Sequence, residues 1–299
     1  MTTMPVPPAS SGAPPMLTVG KPRRRRRGTH QAGPITYLLL VITAAIFILP
    51  FYYMLVGASR TMSEIAQVPP PLTPGGNLWH NIQAALEQQN IGKALINSVV
   101  VSGCVTVSTV LFCTLAGFAF AKMRFRGSAV LFAIAVATMM IPPTLGVVPL
   151  YKIMATLHLT AKLGSVILPS LVSAFGVFFM RQFLLQAVPD ELLEAARVDG
   201  ATSTRTFISI VLPIARPGMA VLAMLTFMAS WNDFFWPIIA LNSTNPTVQV
   251  ALNNLGGGYV PDQSIILAGT LIGTLPVFLV FVLLGRQVVS GIIAGAVKG

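Results

Sequence analysis

Residues Ala94 to Ala121 read ALINSVVVSGCVTVSTVLFCTLAGFAFA, with Lys93 before them, Lys122 after them and no charged residue between. As a helix rising about 1.5 Å per residue, this stretch reaches about 42 Å, more than the roughly 30 Å thickness of a hydrocarbon core. A barrel strand alternates in hydropathy and crosses in roughly ten residues, so length excludes strands here.

Five further stretches have the same character: Pro34 to Val56, Ala129 to Tyr151, Leu163 to Phe183, Met219 to Leu241 and Ser264 to Leu284. The expected fold is an all-α integral membrane protein with six transmembrane helices. Composition agrees with it. Of 299 residues, 54% are hydrophobic and only 9% charged, and the mean hydropathy is +0.77. A soluble domain carries roughly 25% charged residues, enough to cover its surface. This chain has too few, because charge is expensive within a bilayer.

A net charge of +11 invites a nucleic-acid reading, but six of the 19 cations lie in the run Lys21 to Arg27, with no aromatic residue among them. A basic block just before an apolar span is an orientation signal that also meets anionic lipid. Placing the N-terminus in the cytoplasm puts fifteen cations inside and four outside. Both termini are therefore expected to be cytoplasmic. Residues 1–33, basic and Pro-rich, cannot bury enough surface to fold and read as a disordered tail. Residues 34–93 hold the first span and an external segment, 94–286 the transmembrane core, and 287–299 a cytoplasmic tail. Val56-Gly57-Ala58 only weakly imitates a cleavage site, and the first span is too long for a signal peptide, so it reads as an uncleaved anchor.

The external segments are irregular, with Val68-Pro69-Pro70-Pro71, a short helix near Trp79 to Glu87, and Gly256-Gly257-Gly258. No Lys-Ser or Lys-Thr follows the glycines, so the triplet is a turn and the chain has no ATP-binding motif. Cys104 and Cys113 point to opposite sides of one helix and cannot bond; both read as buried structural thiols. His30, His80 and His158 stand alone, without a second metal ligand at suitable spacing. Ile141-Pro142-Pro143, Pro169, Pro237 and Pro276 interrupt four of the spans, as suits helices whose neighbours resatisfy freed carbonyls.

Polar chemistry concentrates between Pro189 and Pro213. Four of the chain's eight acids, Asp190, Glu191, Glu194 and Asp199, fall here within ten positions. Pro189 and Asp190 open a short helix, acids favour its first turn, and Gly200 supplies a left-handed stop. Ser203 or Thr204 caps a second helix, which is expected to end before Pro213. The product is a helix–Gly–helix elbow on the cytoplasmic face. Ala195-Ala196 would let it seat in a groove of another protein, with Glu194 and Asp199 at the rim. A solvated amphipathic loop is the plainer alternative.

Glu194-Ala195-Ala196, then three residues, Gly200, then nine, Ile210, one more and Leu212-Pro213 resembles the EAA signature of bacterial ABC-importer permeases. The stretches from Phe120 to Phe125, Phe179 to Phe183, Trp231 to Pro237 and Gly295 to Gly299 resemble the carbohydrate branch, the MalG-type half of maltose-class permeases. The likeness covers nearly everything after residue 34. It implies a type I importer in the bacterial plasma membrane, in which the elbow is a coupling helix seated in a cleft of an ATPase. The implied partners are a second, unlike permease, two cytoplasmic ATPases that use ATP and Mg, and an external solute-binding lipoprotein that delivers a sugar. This chain would bind no cofactor and catalyse nothing. A polyol or glycerol phosphate is the alternative solute within that class.

Asp233 is the one acid inside an expected span, with Trp231 and Asn232 just before it. An intramembrane acid signals function, and three functional roles fit, lining the sugar path, pairing with the partner permease or relaying protons, with local snorkelling as the plain alternative. A proton relay would suit a proton-coupled secondary transporter, although such folds place coupling acids at the midplane and usually carry internal repeats. Trp231 and Trp236 suit either stacking on a sugar or anchoring at the interface. Asn97, Ser98, Ser102, Thr106, Ser108, Thr109 and Thr114 make the second span rich in polar groups, for helix–helix bonding or for lining a cavity. An enzyme is excluded by the lack of any nucleophile, base and metal cluster.

Overall fold

The computed structural model describes residues 33–257 and 261–296, with side chains described as far as Gly285. Nearly all of the basic tail lies outside the described residues, as do Gly258 and the last three residues of the chain. Among the described residues the chain is helical, with no strand.

In chain order the elements are α1 (Pro34–Ala58), α2 (Met62–Ile65), α3 (Leu78–Gln89), α4 (Ile91–Lys122) and α5 (Ser128–Thr138). A 3-10 turn (Pro143–Gly146) leads to α6 (Val147–Thr156), then α7 (Gly164–Ile167), a second 3-10 turn (Leu168–Ser170) and α8 (Ala174–Ala187). Next come α9 (Asp190–Val198), α10 (Ser203–Thr206), a π-turn (Phe207–Val211) and α11 (Leu212–Trp231). The chain closes with α12 (Phe235–Ala240), α13 (Val248–Leu255) and α14 (Gln263–Ala296). Five helical stretches are long and apolar enough to cross a membrane, and α5 with the segment Pro143–Thr156 makes a sixth if that pair counts as one span.

Two compact units divide the chain at Ile48 and Leu49, within α1. In the second unit α4 is the central post, packed along α8 and α11, with α14 against α11 and α3. Small residues let these helices approach closely. A Cβ on Gly117 would lie 2.8 Å from the Met180 Cβ, and one on Gly218 would meet the Phe183 ring at 2.7 Å. Asn90 makes the tight corner before α4. Its left-handed backbone (φ 48°) ends α3, while its side chain accepts from the Lys93 N–H to start α4.

The polar groups of α4 mostly tie it to its surroundings. Asn97 Nδ2 donates to the Pro246 carbonyl at 2.9 Å, and Ser98 Oγ accepts from the Val248 N–H at 2.8 Å. Thr109 Oγ1 donates to the Ser170 carbonyl at 3.2 Å. Ser108 and Thr114 instead bond carbonyls of their own helix, and the hydroxyls of Ser102 and Thr106 have no hydrogen-bond partner among the described residues. Both thiols are free, but only Cys113 is buried; Cys104 is exposed, contrary to expectation.

Three spans differ from the sequence reading. The third bends by 91° at Ile141-Pro142-Pro143, where two successive prolines withhold N–H groups and crowd the preceding turn. The fifth is shifted toward the N-terminus: its helix runs from Ser203 and ends at Trp231, not from Met219 to Leu241. The second elbow helix therefore does not stop before Pro213. It passes through a π-turn in which the Leu212 N–H bonds the Phe207 carbonyl, and Pro213 follows directly, inside the continuing helix. The break at Asn232–Phe234 also has a cause. In an unbroken helix the Pro237 ring would strike the carbonyl of Asp233. Asn232 Nδ2 donates instead to the Met228 carbonyl at 2.8 Å, covering the open helix end. The sixth span continues past Leu284 as α14, to Ala296.

Candidate functional site

The elbow sits where α4 ends and α11 begins, at the opposite end of α4 from α3 and α13. Helix α9 starts after Pro189 with Asp190 and Glu191 in its first turn and Arg197 in its last, the charge order that suits a helix dipole. Gly200 then turns the chain at φ +74°, a conformation that disfavours any side chain. The cap of the following helix is Thr202, whose side chain accepts from the Arg205 N–H, rather than Ser203 or Thr204.

Helix α9 is two-faced. Leu193 is buried in the cluster that holds Phe118, Met180, Leu184, Val188 and Val211, and Ala196 is buried as well. Glu194, Ala195, Asp199 and Gly200 are exposed. Leu192 is 43% exposed, Val198 88% and, on the π-turn, Ile208 56%. The paired alanines therefore do not act together: Ala196 seats the elbow on its own chain, and only Ala195 faces outward. A helix turns by about 100° per residue, so neighbours cannot share one face. Ile210 and Leu212 are half-buried and Pro213 is exposed.

An ion pair absent from the sequence reading ties the elbow to α4. Lys122 Nζ lies 2.7 Å from Asp190 Oδ1, with the lysine side chain 5% exposed and the aspartate 74%. The hydrogen bond from Lys122, followed by its charge, holds the Asp190 carboxyl below its ordinary value. Nearby, the Arg181 guanidinium lies 4.3 Å from the Phe132 ring centre, and its Nε donates to the Phe120 carbonyl.

A second feature lies among α4, α8 and α11. A cavity of about 690 Å³ is lined by Thr109, Ser170, Ser173, Thr226, Ser230 and Asp233, with apolar wall from residues such as Phe175 and Leu225. Thr226 and Ser230, four residues apart, form one stripe down the end of α11, and Asp233 continues that line just past its end. Sequence inspection singled out Asp233 and missed that stripe, since its register shows only once the helix is known to reach Trp231. Asp233 lies half-buried in the break after α11 rather than within that helix.

The tryptophans do not serve as sugar platforms or interfacial anchors. Trp231 is 2% exposed, donates Nε1–H to the Gly273 carbonyl at 3.1 Å and stacks on Phe227. Trp236 is 8% exposed and donates to the Ser165 carbonyl at 2.9 Å. Each spends its polar edge inside the chain. Asn232 is exposed beside the cavity wall but belongs to the helix end.

Residues 113–291, which include the elbow, α11 and most of α14, match the family described as binding-protein-dependent transport system inner membrane component. The chain belongs to that family. The permease is 32% identical over 265 residues to the lactose transport system permease protein LacG of Rhizobium radiobacter, covering 88% of this chain and 96% of LacG. It is 31% identical over 266 residues to the sn-glycerol-3-phosphate transport system permease protein UgpE of Yersinia pestis, covering 86% of this chain and 94% of UgpE. Its fold is that of a chain in a bacterial ABC transporter involved in the import of the acidic polysaccharide alginate, with TM-score 0.72 and 21% identity over 84% of this chain and 94% of that one. The permease is a multi-pass inner-membrane component.

Proposed function

We propose that this permease forms, with a second and unlike permease, the translocation pathway of an ATP-driven importer for a di- or oligosaccharide, and that its elbow couples that pathway to cytoplasmic ATPases. The reading places both termini in the cytoplasm. An external solute-binding protein delivers the sugar, and ATP and Mg act only on the ATPase subunits. The observation that carries it is the two-faced α9. Leu193, in the apolar cluster, and buried Ala196 fix it to the bundle, while Leu192, Ala195, Val198 and the acids Glu194 and Asp199 are exposed, the two acids with no ion-pair partner among the described residues. An exposed valine and leucine flanking a small residue suit insertion into a cleft, and the acids suit basic groups at its rim. A push on α9 reaches α4 through Lys122 and reaches α11 through the continuous helix beyond Gly200.

The test is to reconstitute the full importer and measure ATP hydrolysis and uptake together. Glu194→Lys should cut uptake per ATP at least tenfold while membrane insertion is unchanged, and Gly200→Pro should do the same because proline cannot adopt a positive φ. Normal coupling in both variants would remove the elbow from the mechanism.

A further inference from the structure

We infer that Asp233 makes the permease's cavity a charge filter, which admits neutral or cationic polyhydroxylated solutes and disfavours anions such as phosphate esters and uronates. The inference rests on the pathway reading above and narrows its solute class. Among the described residues that line the 690 Å³ cavity, Asp233 is the one charged group, and no lysine or arginine accompanies it. The remaining polar lining consists of hydroxyls, from Ser170, Ser173, Thr226 and Ser230, with that of buried Thr109 already donating to the Ser170 carbonyl. Hydroxyls both donate and accept, so they can replace the water around a sugar. They offer an anion no compensating positive charge.

Charge has a large effect here because the rest of the wall is apolar. A cleft with low-dielectric walls and charge of one sign concentrates counter-ions by tenfold or more, at the order-of-magnitude level, and depletes ions of like sign. An anion entering this space would shed water beside a carboxylate, with no cation among this chain's described lining residues to pair with. A neutral sugar meets no such barrier, and an amino sugar is favoured.

The measurement is made on the assembled importer carrying Ser230→Cys, one helical turn from Asp233, with Cys104→Ala removing the exposed native thiol. Buried Cys113 serves as the blank. Labelling rates are compared for two methanethiosulfonates, one carrying a trimethylammonium group and one a sulfonate. Relative to a free thiol, the cationic reagent should be favoured by about tenfold. That preference should vanish in Asp233→Asn and persist in Asp233→Glu. Labelling by both reagents at the free-thiol ratio would overturn the filter and leave the pathway reading standing. If neither reagent reaches the thiol during ATP turnover, the pathway reading fails and the filter with it. Should Asp233→Asn fail to assemble, the ratio measured with Asp233 in place still decides.

Discussion

At the scale of single residues, the glycines carry the sharpest consequences. Gly117 brings α4 onto α8, where an added Cβ would lie 2.9 Å from the Arg181 backbone nitrogen. Backbone cannot swing aside as a long side chain can. Gly117→Ala should therefore cost about 1–3 kcal/mol, seen as a lower melting temperature of the detergent-solubilised importer. Gly103 lies on the same helix with nothing within 4 Å of its Cβ position. Gly103→Ala should leave the melting temperature unchanged or raise it, since alanine favours a helix by about 0.5–1 kcal/mol. A rise of equal size in both variants would mean that helix propensity, not close approach, governs this face. Gly200 was legible from sequence because a positive φ at a helix end is a local demand. The role of Gly117 was not, since it depends on Met180 and Arg181, more than sixty residues away.

At the scale of elements, the elbow shows what local rules capture and what they miss. Its first helix, its acid-first charge order and its glycine turn all follow from residues within a few positions. Which alanine faces outward, and the partner of Asp190, depend on α4 and could not be read locally. The Lys122–Asp190 pair gives this element a pH dependence whose sign is fixed. The Asp190 carboxyl is held below its ordinary 3.8, so the tie is fully formed above that value and is lost as pH falls through the lower folded value. Hydrogen exchange of the α9 amides should accelerate, relative to unstructured peptide, only below about pH 4. In Asp190→Asn it should be faster at neutral pH, with no further change on acidification. Exchange insensitive to both would show that Leu193 and Ala196 alone hold the helix.

For the whole molecule, six apolar stretches were enough to recognise a membrane bundle, because hydropathy is written residue by residue. The boundaries of the third and fifth spans were misread, because prolines act differently by position. Pro142 and Pro143 bend the chain, whereas Pro213, just after the π-turn, and Pro217, inside α11, leave the helix continuous. Function at this scale concerns the source of energy. With ATP maintained and a protonophore added to vesicles containing the whole importer, labelled sugar uptake should be unchanged. Loss of uptake would assign Asp233 to a proton relay and return the permease to the secondary transporters.

The unbroken run from Ser203 through the π-turn to Trp231, 29 residues in all, sets a rotational phase between the elbow and the cavity-lining stripe. Each residue added to that run turns everything beyond it by about 100°, like one click of a ratchet screw. A single alanine inserted within α11 would swing Thr226, Ser230 and Asp233 away from the space they line, while an insertion of four would bring them nearly back into line, about one turn higher. The length of this rod is thus specified as an angle before it is specified as a distance.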